Sequence, residues 1–257
     1  MNESLARIYS QFYKNILTFR RQSFRLADVF VWPILYLFTL TFFVTYLGSS
    51  PIYLHMIILG MMGWRTIYFL NLEMISTFME EYWSKALPHL MISPITRIEF
   101  AIGSALSGML KSFFVIVLYL VITHFLYGFW ITDWVTFGIA IFFLALIGFS
   151  MGLFTLGLGY FLKHDAFNIS FILPDVIVLL SGVYFSVEAV YPPQLLPLVR
   201  LLPTTYAFDM LKSMVGFGQA NLPMLALLTA IWLAAGYLFN GFMYDWARKA
   251  GKLARLG

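Results

Sequence analysis

The chain contains no cysteine, and only 11% of its 257 residues are charged. The absence of cysteine excludes disulfide frameworks, thiolate metal sites and cysteine nucleophiles. The scarcity of charge is equally informative, because an ordinary soluble domain has about 25% charged and at most about 50% apolar residues. Here 61% are hydrophobic, and the mean hydropathy is +0.84. This composition excludes a soluble enzyme, a disordered tail, a coiled coil and a collagen-like fibre.

Motifs of nucleotide and metal sites are also missing. No G-x-x-x-x-G-K-[ST] run is present, so the chain lacks the loop that cradles ATP phosphates. The histidines, His55, His89, His124 and His164, lack the spacing of metal ligands, which predicts that there is no metal site. Residues 148–152 match G-x-S-x-G, but they lie in an apolar run, where small residues four apart favour close helix packing. We therefore expect no enzymatic activity in this chain.

Long apolar stretches predict an all-α integral membrane protein, since about 20 apolar residues cross a bilayer as a helix. Six such stretches occur, at residues 30–47, 52–79, 99–127, 134–162, 166–186 and 223–246. Trp32 and Pro33 are expected to open the first span, where a proline is well tolerated. The segments between the stretches are too short for a large soluble domain, so residues 1–257 are predicted to form a single transmembrane domain.

The basic residues predict the orientation. Twelve of the 16 Lys and Arg residues fall before the first span, between spans two and three, between spans four and five, or in the tail at 247–257. By the positive-inside rule, both termini are expected in the cytoplasm, with the chain in the cytoplasmic (inner) membrane. The net charge of +4 is thus interpreted as positive charge on the cytoplasmic side of the membrane, and no nucleic-acid partner is expected.

Residues 1–28 form an amphipathic segment ahead of the first span. Leu5, Ile8 and Phe12 recur at helical spacing, whereas Arg7 and Lys14 fall on the other side. This pattern predicts a helix along the cytoplasmic membrane surface, with its cations directed towards lipid headgroups or a protein partner.

Residues 80–97 are too polar to insert into the membrane and too apolar for a free loop. Pro88 and Pro94 break the segment, and Leu87, Leu90 and Met91 are expected to be exposed at helical spacing. An exposed apolar patch with a charged rim is typical of a surface that binds a protein partner. The alternative is a short helix packed back onto the bundle.

Residues 187–215 are apolar, but prolines prevent one continuous span. They are predicted to form two short helices in a re-entrant hairpin on the outer side, because irregular backbone at membrane depth needs protein or a watery cavity around it. The residues proposed for this hairpin are Pro192, Pro193, Pro197, Arg200, Pro203, Tyr206 and Asp209.

The runs LSGVYFSVEAVYPPQLLPLVRLLPTTYAFDMLKSM and WSKALPHLMISPITRIEFAIGSAL resemble ABC-2 type transporter permeases, in particular the drug-, nodulation-factor- and polysaccharide-export branch. The resemblance implies a half-transporter that dimerises, with an identical copy or a paralogue, on two ABC ATPases that hold ATP and Mg. It also implies a coupling surface at Tyr82, Trp83, Lys85, Leu87, His89, Leu90 and Met91. The hairpin would line or close the exit, and the cargo would be amphipathic or lipid-linked: polysaccharide, lipid or hydrophobic drug.

Four charged residues fall within predicted spans: Arg65, Glu73, Lys111 and Asp175. Intramembrane charges are costly and mark functional sites, although they also form structural ion pairs. An alternative function is therefore an ion-gradient-driven secondary transporter that uses these four residues as a relay. A third is a membrane assembly factor that transports nothing.

Overall fold

The computed structural model describes residues 3–48 and 50–251, and over this part of the chain it contains helices and no strands. The tail residues 252–257, which carry two of the basic residues used for orientation, lie outside the described residues, as do residues 1 and 2. The helices are α1 (Glu3–Arg21), α2 (Ser23–Tyr46), α3 (Pro51–Trp83), α4 (Leu87–Ile92), α5 (Arg97–Tyr127), α6 (Trp134–Leu162), α7 (His164–Leu180), α8 (Val187–Val190), α9 (Leu196–Val199), α10 (Pro203–Ser213) and α11 (Leu222–Lys249).

Four of the described helices, α2, α5, α6 and α11, are long and apolar enough to cross a membrane by length and composition. The other two predicted spans correspond to α3 and α7. The first has 33 residues but carries Arg65, Asn71 and Glu73 along its length, and the second has 17 residues. An all-helical, multi-pass membrane fold is therefore supported, and six spans stay a prediction.

The centre of the bundle is α3, which packs against α2, α5, α6, α7 and α10. Most of its side chains are buried, including polar ones that form hydrogen bonds with its neighbours. Thr66 shares a hydrogen bond with Ser112 of α5 at 2.9 Å, and Asn71 donates to the Ser170 carbonyl of α7 at 2.9 Å. Satisfied polar contacts of this kind fix the position of α3 within an apolar bundle.

The surface helix α1 packs on α5 through polar residues. Gln11 and Asn15 are buried there, and the apolar Leu5 is exposed. The prediction that the cations point towards lipid headgroups or a partner is wrong for Arg7 and Lys14. Arg7 bonds Glu99 and Lys14 pairs with Glu81, because the carboxylates at the start of α5 and at the end of α3 lie beside α1.

Several helix ends differ from the predicted spans. The fifth predicted span, at 166–186, ends as a helix at Leu180 and continues into turns with Gly182 at positive φ. Pro33 lies well inside α2 and does not open it. The segment at 187–215 forms two one-turn helices, α8 and α9, followed by the longer α10, in place of two helices.

Candidate functional site

The four predicted intramembrane charges line one cavity of about 570 Å³ between α2, α3, α5 and α7. Arg65 and Glu73 come from α3, Lys111 comes from α5 and Asp175 comes from α7. Three further charged residues line the same space: Arg25, Asp28 and Glu80. Trp64 and Glu80 both face it, so the cavity follows α3 for roughly 24 Å at 1.5 Å per residue.

A network of ion pairs lies along the part of this cavity that Glu73 and Glu80 line. Glu73 accepts a hydrogen bond from the Lys111 Nζ at 2.5 Å, and an Arg25 nitrogen lies 3.8 Å from its other oxygen. Arg25 also pairs with Glu80, whose carboxyl has a raised pKa because it is buried, although the Arg25 guanidinium opposes the shift. Two cations and two carboxylates of the lining are thereby matched inside the protein.

Arg65 is not part of this network. Its side chain is largely enclosed, with 2% of the residue exposed, and its guanidinium carbon lies 4.4 Å from the ring centroid of Trp64. The rings of Tyr36 and Tyr68 are 5.2 Å and 5.5 Å away. These aromatic faces stabilise the positive charge. The Nε and Nη2 atoms have no hydrogen-bond partner among the described residues, so Arg65 keeps free donors beside the cavity.

Two carboxylates of the lining, Asp28 and Asp175, form no ion pair within the described part of the chain. Asp28 was missed as a site residue because it precedes the first predicted span. The available signal was that Asp28, Trp32 and Tyr36 follow one another at intervals of four residues, since such residues share a helix face.

The predicted coupling segment contains α4, a short helix with one side packed on the bundle and the other side exposed. Leu87 is 1% exposed and packs in the core, so the prediction that it is exposed is wrong. Leu90 and Met91 also pack against that core. The helix is too short to be stable alone, and these apolar contacts hold it on the bundle.

The outward side of this segment presents a mixed surface. Trp83, Lys85 and His89 are exposed, and Ile92 is 83% exposed. Tyr82 is partly buried, and its ring centroid lies 4.8 Å from the Lys163 Nζ. Lys85 has a positive φ of 59°, which turns the chain sharply between α3 and α4.

The predicted hairpin is built around Asp209. This buried carboxylate lies 2.8 Å from Arg200 and 2.8 Å from Lys212, and Arg200 also pairs with Glu188. Lys212 is 1% exposed and donates to the carbonyls of Gly182 and Phe185, both at 3.0 Å. These contacts join α8, α10 and the turn after α7 into one unit.

The prolines of the hairpin separate into two groups. Pro192, Pro193 and Pro197 are exposed, whereas Pro203 is buried at the first turn of α10, where a proline needs no amide hydrogen. Tyr206 is buried, and its ring lies 5.3 Å from the Arg200 guanidinium.

Comparison with protein families gives a match to the ABC-2 type transporter model over residues 7–216. The chain belongs to the ABC-2 type transporter family. No curated protein matches this permease significantly. The match confirms the family inferred from the two sequence runs, and it supports an ABC transporter permease. It spans α1 to α10, so the cavity, α4 and the Asp209 unit all lie inside the family region.

Proposed function

We propose that the chain is the transmembrane subunit of an ABC exporter in the inner membrane, with both termini in the cytoplasm. Residues 1–257 form one domain with six spans, and 187–215 form a re-entrant hairpin at the outer mouth. Two copies, or one copy and a paralogue, associate with two ABC ATPases. Those partners bind ATP and Mg and perform the hydrolysis, and the permease carries an amphipathic or lipid-linked cargo outward.

The position of α4 is the observation that supports this proposal. This helix is fixed on the bundle by Leu87, and only the short turn around Lys85 separates it from the end of α3 at Trp83. The same α3 carries Arg65, Glu73 and Glu80 on the cavity. A displacement of α4 by an ATPase would therefore act on the wall of the cavity through the short turn at Lys85 and then along the single helix α3.

The test is a substitution on the exposed side of α4. Ile92→Asp places a charge on a side chain that contacts little of the bundle, so the fold is retained while an apolar docking surface is interrupted. Val135→Asp is the matched control, because Val135 is also exposed but lies at the start of α6, beyond the far end of α5.

Each variant is co-expressed with the cognate ABC ATPase, and both complex formation and substrate-stimulated ATP hydrolysis are measured. We expect Ile92→Asp to lose the complex and Val135→Asp to retain it. Normal assembly and hydrolysis with Ile92→Asp would contradict the proposed coupling surface.

The buried Lys111–Glu73 pair favours a second candidate, a secondary transporter driven by an ion gradient. The two functions differ in their energy source. Transport by proteoliposomes that stops with an uncoupler at constant ATP would support the ion-driven carrier, whereas transport that needs the ATPase and persists with the uncoupler supports the exporter.

A further inference from the structure

The cavity between α2, α3, α5 and α7 has an unbalanced charge. Three cations line it, Arg25, Arg65 and Lys111, against four carboxylates. Arg25 and Lys111 are matched by Glu80 and Glu73. The remaining groups are Asp28, Asp175 and Arg65, so the unmatched part of the lining has one excess negative charge when all three are ionised.

The unmatched cation is already stabilised by other means. The Arg65 guanidinium lies against the rings of Tyr36, Trp64 and Tyr68, whose π-faces carry negative potential. Asp28 and Asp175 form no ion pair within the described part of the chain, although Arg65 is near enough to act on both electrostatically. A carboxylate without a paired cation is costly at membrane depth. A bound anion would add to this excess, whereas a bound cation would cancel it.

The rest of the lining suits an apolar ring system. Trp83 and Phe167 meet edge to face at 5.3 Å, and Phe167 and Phe171 meet at 5.0 Å, which forms a row of rings along the wall. Trp32 adds another exposed aromatic surface. The volume of about 570 Å³ is that of a site for one drug-sized molecule.

We propose that this cavity binds an amphipathic organic cation. Its positive centre lies towards Asp28 and Asp175, and its apolar rings lie against the row at Trp83, Phe167 and Phe171. The unpaired Nε and Nη2 groups of Arg65 donate hydrogen bonds to a carbonyl, ether or hydroxyl oxygen of the ligand. This inference rests on the proposed permease function and names the substrate class of the same cavity.

The test uses two probes of the same size and shape but opposite charge, tetraphenylphosphonium and tetraphenylborate. The full-length permease is placed in lipid nanodiscs without ATPase or nucleotide, and binding is followed by tryptophan fluorescence quenching, with empty nanodiscs subtracted for partition into lipid. We expect the phosphonium to bind at least ten-fold more tightly than the borate.

Three substitutions assign the charge preference to the cavity. Asp175→Asn and Asp28→Asn should each weaken phosphonium binding by three-fold or more, and the former changes an exposed side chain, which spares the fold. Asp245→Asn is the matched control on α11, outside the cavity, and should leave it unchanged. Arg65→Gln should not weaken phosphonium binding, since it removes a like charge.

Several outcomes would overturn the inference: tighter binding of the borate with loss in Arg65→Gln, equal binding of both probes, no saturable binding, or no effect of Asp28→Asn and Asp175→Asn. Because no ATPase is present, these outcomes are independent of coupling. If Ile92→Asp assembles and hydrolyses ATP normally while charge-selective binding is intact, the proposed coupling is rejected. The assignment of the cavity then still holds.

Discussion

At the residue scale, Glu73 is a carboxylate whose charge is matched inside the protein. It is buried on α3, and Lys111 and Arg25 both approach it. A buried pair is weak evidence of net stabilisation, but loss of one partner is costly because the other charge is left without compensation. The role of Glu73 in stability is therefore separable from any role in transport.

The first prediction concerns this pair. Glu73→Gln should destabilise the protein by about 3–5 kcal/mol, because Lys111 then stays buried without its anion. The double variant Glu73→Gln with Lys111→Met should recover most of that loss. Unfolding in detergent is monitored by tryptophan fluorescence.

Glu3→Gln, which changes an exposed carboxylate near Arg7, is the control and should change stability by less than about 0.5 kcal/mol. Equal stability of all three variants would contradict the prediction.

A second residue-scale prediction concerns the contact between α3 and α5. A Cβ added at Gly108 would lie 2.5 Å from the Phe69 carbonyl oxygen, and backbone cannot move aside as a flexible side chain does. Gly108→Ala should therefore destabilise the protein by about 1–3 kcal/mol. Gly138→Ala has open space around the new methyl group and should be neutral or stabilising by up to about 1 kcal/mol. Melting temperatures in one detergent give the comparison, and a Gly108→Ala variant as stable as Gly138→Ala would refute the close approach.

At the element scale, α1 is attached to the bundle through the start of α5. Thr96 and Glu99 form a capping box there. The Glu99 carboxylate also accepts hydrogen bonds from Ser4 at 2.6 Å and from Arg7 at 2.8 and 2.9 Å. One side chain therefore caps one helix and holds another.

The third prediction follows from this double role. Glu99→Gln should increase hydrogen–deuterium exchange throughout α1, because the charge-assisted bonds from Arg7 are lost. Thr96→Ala removes the cap but leaves the Arg7 contact, so faster exchange should be confined to the first turn of α5, with a cost of about 1 kcal/mol. The same exchange pattern in both variants would mean that α1 is held by other contacts.

At the scale of the whole molecule, the two predicted spans that fall short of a plain apolar span, α3 and α7, also contribute charges to the cavity, as do α2 and α5. Arg65 and Glu73 lie on α3, and Asp175 lies on α7. Polar residues that face a cavity lower the apparent hydropathy of a helix while its other faces stay apolar. This reason applies to α3, whereas α7 falls short by its length of 17 residues. Topology experiments test whether both helices cross the membrane.

The fourth prediction tests the number of spans. Since the chain contains no cysteine, single substitutions can be labelled from outside with a membrane-impermeant maleimide. With six spans and cytoplasmic termini, Thr132→Cys and Gln219→Cys should be labelled in intact cells, whereas Ser84→Cys and Asp165→Cys should react after lysis only. If α3 does not cross, Ser84→Cys becomes accessible from outside and Thr132→Cys does not.

The cavity marks the limit of what sequence reasoning predicts at this scale. Hydropathy is enough to indicate that Arg65, Glu73, Lys111 and Asp175 are unusual, because each interrupts an apolar run. It does not indicate that Lys111 pairs with Glu73 while Arg65 stacks on aromatic rings. Leu87 shows the same limit, since its spacing within a polar segment suggested exposure and its neighbours in space bury it.

The sequence by itself determined that this is a membrane protein, its helical class and its family. Composition, apolar run length and the two runs that resemble the family are properties of the linear chain. Tertiary structure alone decided that Lys111 meets Glu73, that Leu87 packs in the core, and that Lys212 reaches the carbonyls of Gly182 and Phe185. The physical reason is range. Helix formation and membrane affinity depend on residues a few positions apart, whereas an ion pair depends on helices that are distant in sequence and adjacent in space.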